Sequence, residues 1–317
     1  MRWVPEHRDH TAGPHAADVT GGRGLAIDLL TLAGGYQRDR GLYAGACHTH
    51  QQALAITEDA FAGDPQRVID ALDTLVVTLL ASGDPAAAHT YAMQSWETAK
   101  RAFGPDHAQV LGPANNLGNV LYQLGKPAEA RPYLERAVRI AEHEFGPADP
   151  RVAVYLPRLA AVERACNAGT DAISLLERAL AIDEAYYGEL AQQLLPTLSS
   201  LADTLLELHD PAAALPYLER IISVTEHAPG PNDLRLIAAL RQLAEALMAC
   251  GRTAEAIPAL ERVVALHDYY GAETTAAVND LRRLAGILEQ HGRRKEAKSH
   301  LEYAHDIDRR YRNAGSD

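Results

Sequence analysis

The strongest constraint on this chain is that it repeats itself about every 42 residues. The segment YLERAV at 133–138 returns as LLERAL at 175–180, YLERII at 217–222 and ALERVV at 259–264, and more loosely as HLEYAH at 300–305. The leucines Leu134, Leu176, Leu218 and Leu260 hold one register, and Leu301 follows one residue early. Ala88, Ala130, Ala172, Ala214, Ala256 and Ala297 mark a second position of the same period. A period of this length is that of a supersecondary unit that cannot bury its apolar face alone and must stack on its neighbours.

Within each period the punctuation predicts helix, tight turn, longer helix, loop. The turn position is occupied by Gly41, Gly83, Gly125, Asn167, His209, Gly251 and Gly292. Glycine and asparagine suit a left-handed residue at the end of a helix. A second break recurs between units at Phe103-Gly104-Pro105, Phe145-Gly146-Pro147, Tyr187-Gly188, Pro229-Gly230 and Tyr270-Gly271. In the clearest unit the first helix is expected over about 109–124, with Leu117, Leu121 and Leu124 on one face. Pro127 opens the second helix, where its missing N–H costs little. Pro132, Pro216 and Pro258 fall inside second helices and predict slight bends. Pro157, within the first helix of the fourth unit and without such equivalents, predicts a kink or a delayed start. Strand signals are absent, and seven units fit between about 24 and 312. Residues 1–23 are expected to be a flexible tail and 313–317 a short C-terminal one. The final helix carries charge on its outer face, as a terminal unit requires.

The stretch 103–150 carries Phe103-Gly104-Pro105-Asp106-His107, Asn115-Asn116-Leu117, Gly125-Lys126, Glu129-Ala130 and Leu134. In these residues it resembles the 42-residue tetratricopeptide repeat of kinesin light chains and many bacterial proteins. The resemblance covers roughly 24–312. It implies an all-α fold: a right-handed α-solenoid of about seven helix-turn-helix repeats, with a concave groove where asparagines hydrogen-bond an extended ligand.

Several function classes are disfavoured. The formal net charge of −12 and the pI near 5.6 argue against nucleic acid and against anionic lipid surfaces. No stretch approaches the roughly 18 apolar residues of a membrane helix, and the N-terminal segment lacks the apolar run of a secretory signal. Three cysteines without a CxxC pair fit a reducing, cytoplasmic setting. Lysine occurs only at Lys100, Lys126, Lys295 and Lys298, a composition typical of GC-rich bacterial coding sequence.

LGNVLYQLGKPAEA at 117–130 imitates a phosphate loop but fails as one. Six residues separate Gly118 from Gly125, Pro127 follows Lys126, and the preceding residues are helical. Cys47, His48 and His50 in CHTH lie on different sides of a helix and read as a solvated surface rather than a metal site. No HExxH, GxSxG or supported carboxylate pair appears. No cofactor, metal or catalytic residue is therefore assigned.

The candidate site is the first-helix face opposite the leucines. Asn115, Asn119 and Tyr122 occupy it in the third unit, and Asp28, Thr31, Asp70 and Asp73 in the first two. Arg164, Asp203, Arg241, Glu245 and Arg282 follow in later units. The expected function is a scaffold or adaptor that binds a protein or peptide segment, its acidic groups taken by the arginines. An enzyme or small-molecule sensor using the same groove is the alternative. Self-association through the weak first unit is a further expectation.

Overall fold

A computed structural model describes residues 14–227, 232–271 and 274–314. The chain divides into two compact units, Met1–Pro147 and Ala148–Asp317. The first contains α1 (Pro14–Asp39), α2 (Tyr43–Ala60), α3 (Pro65–Ala81), α4 (Pro85–Phe103), α5 (Leu111–Gln123) and α6 (Pro127–Phe145). The second contains the single turn α7 (Pro150–Ala153), then α8 (Leu156–Ala165), α9 (Gly169–Tyr187), α10 (Leu195–Glu207) and α11 (Pro211–His227). It continues with α12 (Arg235–Ala249), α13 (Thr253–Tyr269), α14 (Thr275–Gln290) and α15 (Arg294–Ala314). Setting α7 aside, successive helices pack in pairs, which gives three hairpins in the first unit and four in the second.

One backbone device closes every hairpin. Gly41, Gly83, Gly125, Asn167, His209, Gly251 and Gly292 all have positive φ, between 59° and 79°. At Gly125 the N–H donates to the Tyr122 carbonyl at 2.9 Å, and the Lys126 N–H donates to the Leu121 carbonyl at 3.0 Å. This paired closure satisfies carbonyls that the end of a helix leaves without partners. It recurs from Leu42 to Gln37, Asp84 to Leu79, Ala168 to Glu163, Asp210 to Leu205, Arg252 to Leu247 and Arg293 to Leu288. Second helices then start where Pro85, Pro127 and Pro211 stand in the first turn, and Asp84 caps α4 by accepting from the Ala87 N–H at 2.9 Å.

The periodic residues form the core. Leu134, Leu176, Leu218 and Leu260 are buried, as are the six register alanines. Each such leucine stabilises its unit by about 1.5–3 kcal/mol. Small residues set how closely the paired helices approach. A Cβ on Gly118 would lie 2.6 Å from Leu134 Cγ, so this glycine lets α5 rest on the α6 leucine. Gly34 plays the same part for α1, because a Cβ there would meet the His50 ring at 2.3 Å.

Some expectations change. Residues 1–13 of the expected tail lie outside the described residues, and the rest of it falls within the span of α1, Pro14–Asp39. Arg23 donates to Asp59 at 2.8 Å, which ties this part of α1 to α2 despite its glycines. At the other end, α15 runs through Ala314. The CHTH segment is not a solvated surface throughout: His50 is buried, with Nδ1 2.8 Å from Thr78 Oγ1. Pro157 does delay a first helix, for α7 breaks after Ala153 and α8 restarts with Pro157 in its first turn. A proline also stands in the first turn of α10, Pro196, but three residues out of the repeat register of Pro157, whose equivalent there is Ser199. The helices α6, α11 and α13 run unbroken through Pro132, Pro216 and Pro258.

Two glycine substitutions separate packing from helix propensity. Gly118→Ala forces Leu134 aside and is expected to destabilise by about 1–3 kcal/mol. Gly286→Ala meets nothing within 4 Å on α14 and is expected to stabilise by about 0.5–1 kcal/mol. Urea denaturation of both variants beside the parent protein reads the opposite signs.

Candidate functional site

In the first unit, α3 lies beside both α1 and α5, so the first helices form a row. A cleft of about 680 Å³ between α1 and α3 is lined by Asp28, Thr31, Arg67, Asp70 and Thr74, with Ile27, Leu32 and Ala71 as its apolar wall. Further along the row, Asp73 is held between three elements. Ser95 Oγ on α4 donates to Asp73 Oδ1 at 2.7 Å, and the Asn116 side chain on α5 also hydrogen-bonds it. Gly112 leaves room for this carboxylate, since a Cβ there would sit 3.1 Å from Asp73 Oδ2. Burial is the main cause that pushes the Asp73 carboxyl up to about 6; the two hydrogen bonds oppose it and the Asp70 charge adds to it.

The three α5 candidates differ in accessibility. Asn115 is buried, with Nδ2 3.5 Å from Asn116 Oδ1, whereas Asn119 and Tyr122 are half-buried. Among the described residues, neither Asn119 nor Tyr122 makes a side-chain hydrogen bond. Ser95 and Asn116 were not among the residues expected from sequence. Asn116 adjoins the amide motif itself, but Ser95 lies on a second helix and carries no periodic signal.

The second unit uses the same helix faces differently. Arg164 pairs with Glu207 at 3.5 Å, and Gln242 Nε2 donates to Asp203 at 3.0 Å. Glu245 accepts from Arg283 at 2.5 Å, whereas Arg282 turns to Asp308 on α15. Arg241 forms the densest contact: its Nε donates to both Asp280 oxygens at 3.0 Å. His267 Nε2 lies 2.9 Å from Asp280 Oδ2 and 3.3 Å from Arg241 Nη2. Asp280 and His267 are only 5% and 8% exposed, so this charge cluster is packed into the helix layer. The five sequence candidates of this unit are thus all engaged within the chain. Their partners Glu207, Gln242, Asp280 and Arg283 follow a readable rule: polar complements on first helices one repeat apart, as at separations of 38 and 39 residues.

Models of the tetratricopeptide repeat match residues 68–109 and 114–151, 150–227 and 239–268. These segments together span more than half of the sequence, and the chain belongs to the tetratricopeptide repeat proteins. Among solved structures it is similar to the kinesin light chain repeats of Podospora anserina at 24% identity, covering 65% of this chain and 98% of that one, with a TM-score of 0.54. It is also similar to BtubC (BKLC) of P. vanneervenii at 16% identity, covering 71% and 91%, with a TM-score of 0.60. A Rap protein complexed with competence and sporulation factor aligns at 15% identity over 90% and 76%, with a TM-score of 0.56. At these identities the likeness is one of fold. No curated protein sequence matches the chain. No helix among the described residues is long and apolar enough to cross a membrane.

The Asp73 carboxyl gives a pH signature. Its folded pKa, about 6, lies above the ordinary 3.8, so the folded state binds the proton more tightly than the unfolded state. Stability contributed by this group is therefore greatest below about pH 4 and declines as pH rises to about 6, by on the order of 3 kcal/mol. Asp73→Asn keeps an acceptor for Ser95 and is expected to remove this decline. The gap in denaturation midpoint between variant and parent should open between those pH values and stay constant above them. Truncation separates the two kinds of arginine. Arg241→Ala leaves Asp280 buried without its cation and is expected to destabilise by about 3 kcal/mol, whereas Arg164→Ala, at an exposed pair, should change stability by less than about 1 kcal/mol.

Proposed function

We propose that this protein is a binding scaffold that holds an extended protein or peptide segment along the first-helix face of its first unit. Binding of proteins is the general role of tetratricopeptide repeats. The observation that carries the specific reading is the contrast between the units. Arg164, Asp203, Arg241, Glu245 and Arg282 already have partners in the chain, while Asn119 and Tyr122 present a half-buried amide and hydroxyl with hydrogen-bonding capacity to offer.

An amide is suited to a peptide backbone because it donates and accepts at once, matching a C=O and an N–H of an extended chain. Asn115, packed beneath it, orients the neighbouring amide of Asn116. The carboxylates Asp28 and Asp70 beside this face favour lysine or arginine in the ligand. The protein's net charge of −12 also speeds encounter with a basic segment. The expected ligand is therefore a basic extended segment rather than an acidic one, because the arginines that would have drawn acidic groups are engaged.

The test is selection of peptides from a random display library on the full chain, followed by affinity measurement. Selected peptides should be enriched in lysine and arginine, and Asn119→Ala with Tyr122→Phe should weaken them about thirtyfold, two hydrogen bonds at about 1 kcal/mol each. Unchanged affinity in a double variant of normal helicity rejects the proposed face.

A further inference from the structure

The helix α1 carries an apolar stripe that its own chain leaves uncovered. Leu25, Leu29, Leu32 and Tyr36 are 60%, 58%, 70% and 64% exposed. Their spacing of four, three and four residues aligns them along one side of the helix, the pattern of a two-helix seam. The opposite side of α1 packs on α2, with Gly34 against His50, and the side adjoining the stripe forms the cleft with α3, which Leu32 edges. A terminal helix of a repeat stack ordinarily turns a polar face outward. The last helix, α15, does so with Lys298, Glu302, Asp306 and Arg309, all well exposed. The first helix does not.

We infer that α1 is a homodimerisation surface, packing antiparallel on α1 of a second copy about a two-fold axis. Three observations select that occupant. The stripe is symmetric about its own midpoint: in an antiparallel pair Leu29 faces the second copy's Leu32, and Leu25 faces its Tyr36. Each contact then occurs twice, as a closed isologous interface requires. Head-to-tail association is disfavoured because the far end of the chain offers a charged helix to an apolar one. The small residues Gly22 and Ala33 beside the stripe allow close approach. The thirteen residues before α1 are a poorer cover, with Trp3 and Val4 beside Met1 as their large apolar side chains and Pro5 next to them. One helix-wide seam is smaller than the about 800 Å² per partner of a standard interface, so the dimer is concentration-dependent.

Sedimentation velocity of the full chain over a concentration series tests this directly. The parent protein should pass from monomer to dimer. Leu29→Glu with Leu32→Glu, and Leu29→Lys with Leu32→Lys, should each weaken self-association at least about tenfold by placing like charges across the axis. An equimolar mixture of the two variants should restore the dimer, since the carboxylates introduced in one then face the ammonium groups introduced in the other. These side chains project into solvent, so far-UV circular dichroism should match the parent, and Tyr36→Glu provides a second, independent disruption. The inference is overturned by a parent protein that stays monomeric throughout, including one that associates only with some other polypeptide. It is equally overturned if either like-charged variant keeps the dimer, or if the mixture fails to restore it.

Discussion

Each hairpin depends on a single left-handed residue at the end of its first helix. A helix that ends otherwise leaves its last carbonyls without donors, and a buried unpaired carbonyl is costly. The closure seen from Gly125 and Lys126 back to Tyr122 and Leu121 turns the chain within three residues, and six other hairpins share it. Because the turn is short, the second helix must return against the first, and the register alanines then fall at the point of closest approach. Glycine is the least strained choice, yet Asn167 and His209 hold the same conformation. Packing on both sides of those turns outweighs the local cost of a Cβ, about 1–2 kcal/mol.

The hairpins explain why this fold was largely legible in the sequence. The register leucines, the alanines and the turn residues are each read from one period, and each does one local job. One misreading arose where a tertiary contact overrode a local signal. His50 looks like one of several surface histidines, yet Gly34 admits its ring beneath α1 and Thr78 receives its nitrogen. Neither partner is near His50 in sequence, so no window of residues announces the contact.

The candidate site was legible only as a face. A helical wheel sorts residues by direction but does not say whether a side chain pointing that way meets solvent or the next repeat. Asn115 and Asn119 share a direction on α5, and one is buried while the other remains accessible. Arg282 and Arg283 are adjacent, and they pair in opposite directions, with Asp308 on α15 and with Glu245 on α12. Asking at each polar position for a complement one repeat away would have found Asp280 for Arg241 and Gln242 for Asp203. The period therefore contains more of the electrostatics than the face does.

That difference bears on how such a scaffold divides its work. A repeat that pairs its inner polar groups with its neighbour is rigid and has little left to give a ligand. Around Arg241, any ligand anion would have to displace Asp280, a buried carboxylate that would lose its cation in the exchange. Around Asn119 and Tyr122 nothing comparable has to be broken. The row formed by α1, α3 and α5 also holds Asp73 at the cost of desolvating it, whereas the buried carboxylate of Asp280 in the second unit is paired with an arginine. The first unit thus leaves Asn119 and Tyr122 open beside a desolvated carboxylate, whereas the second engages its inner charges with partners one repeat away.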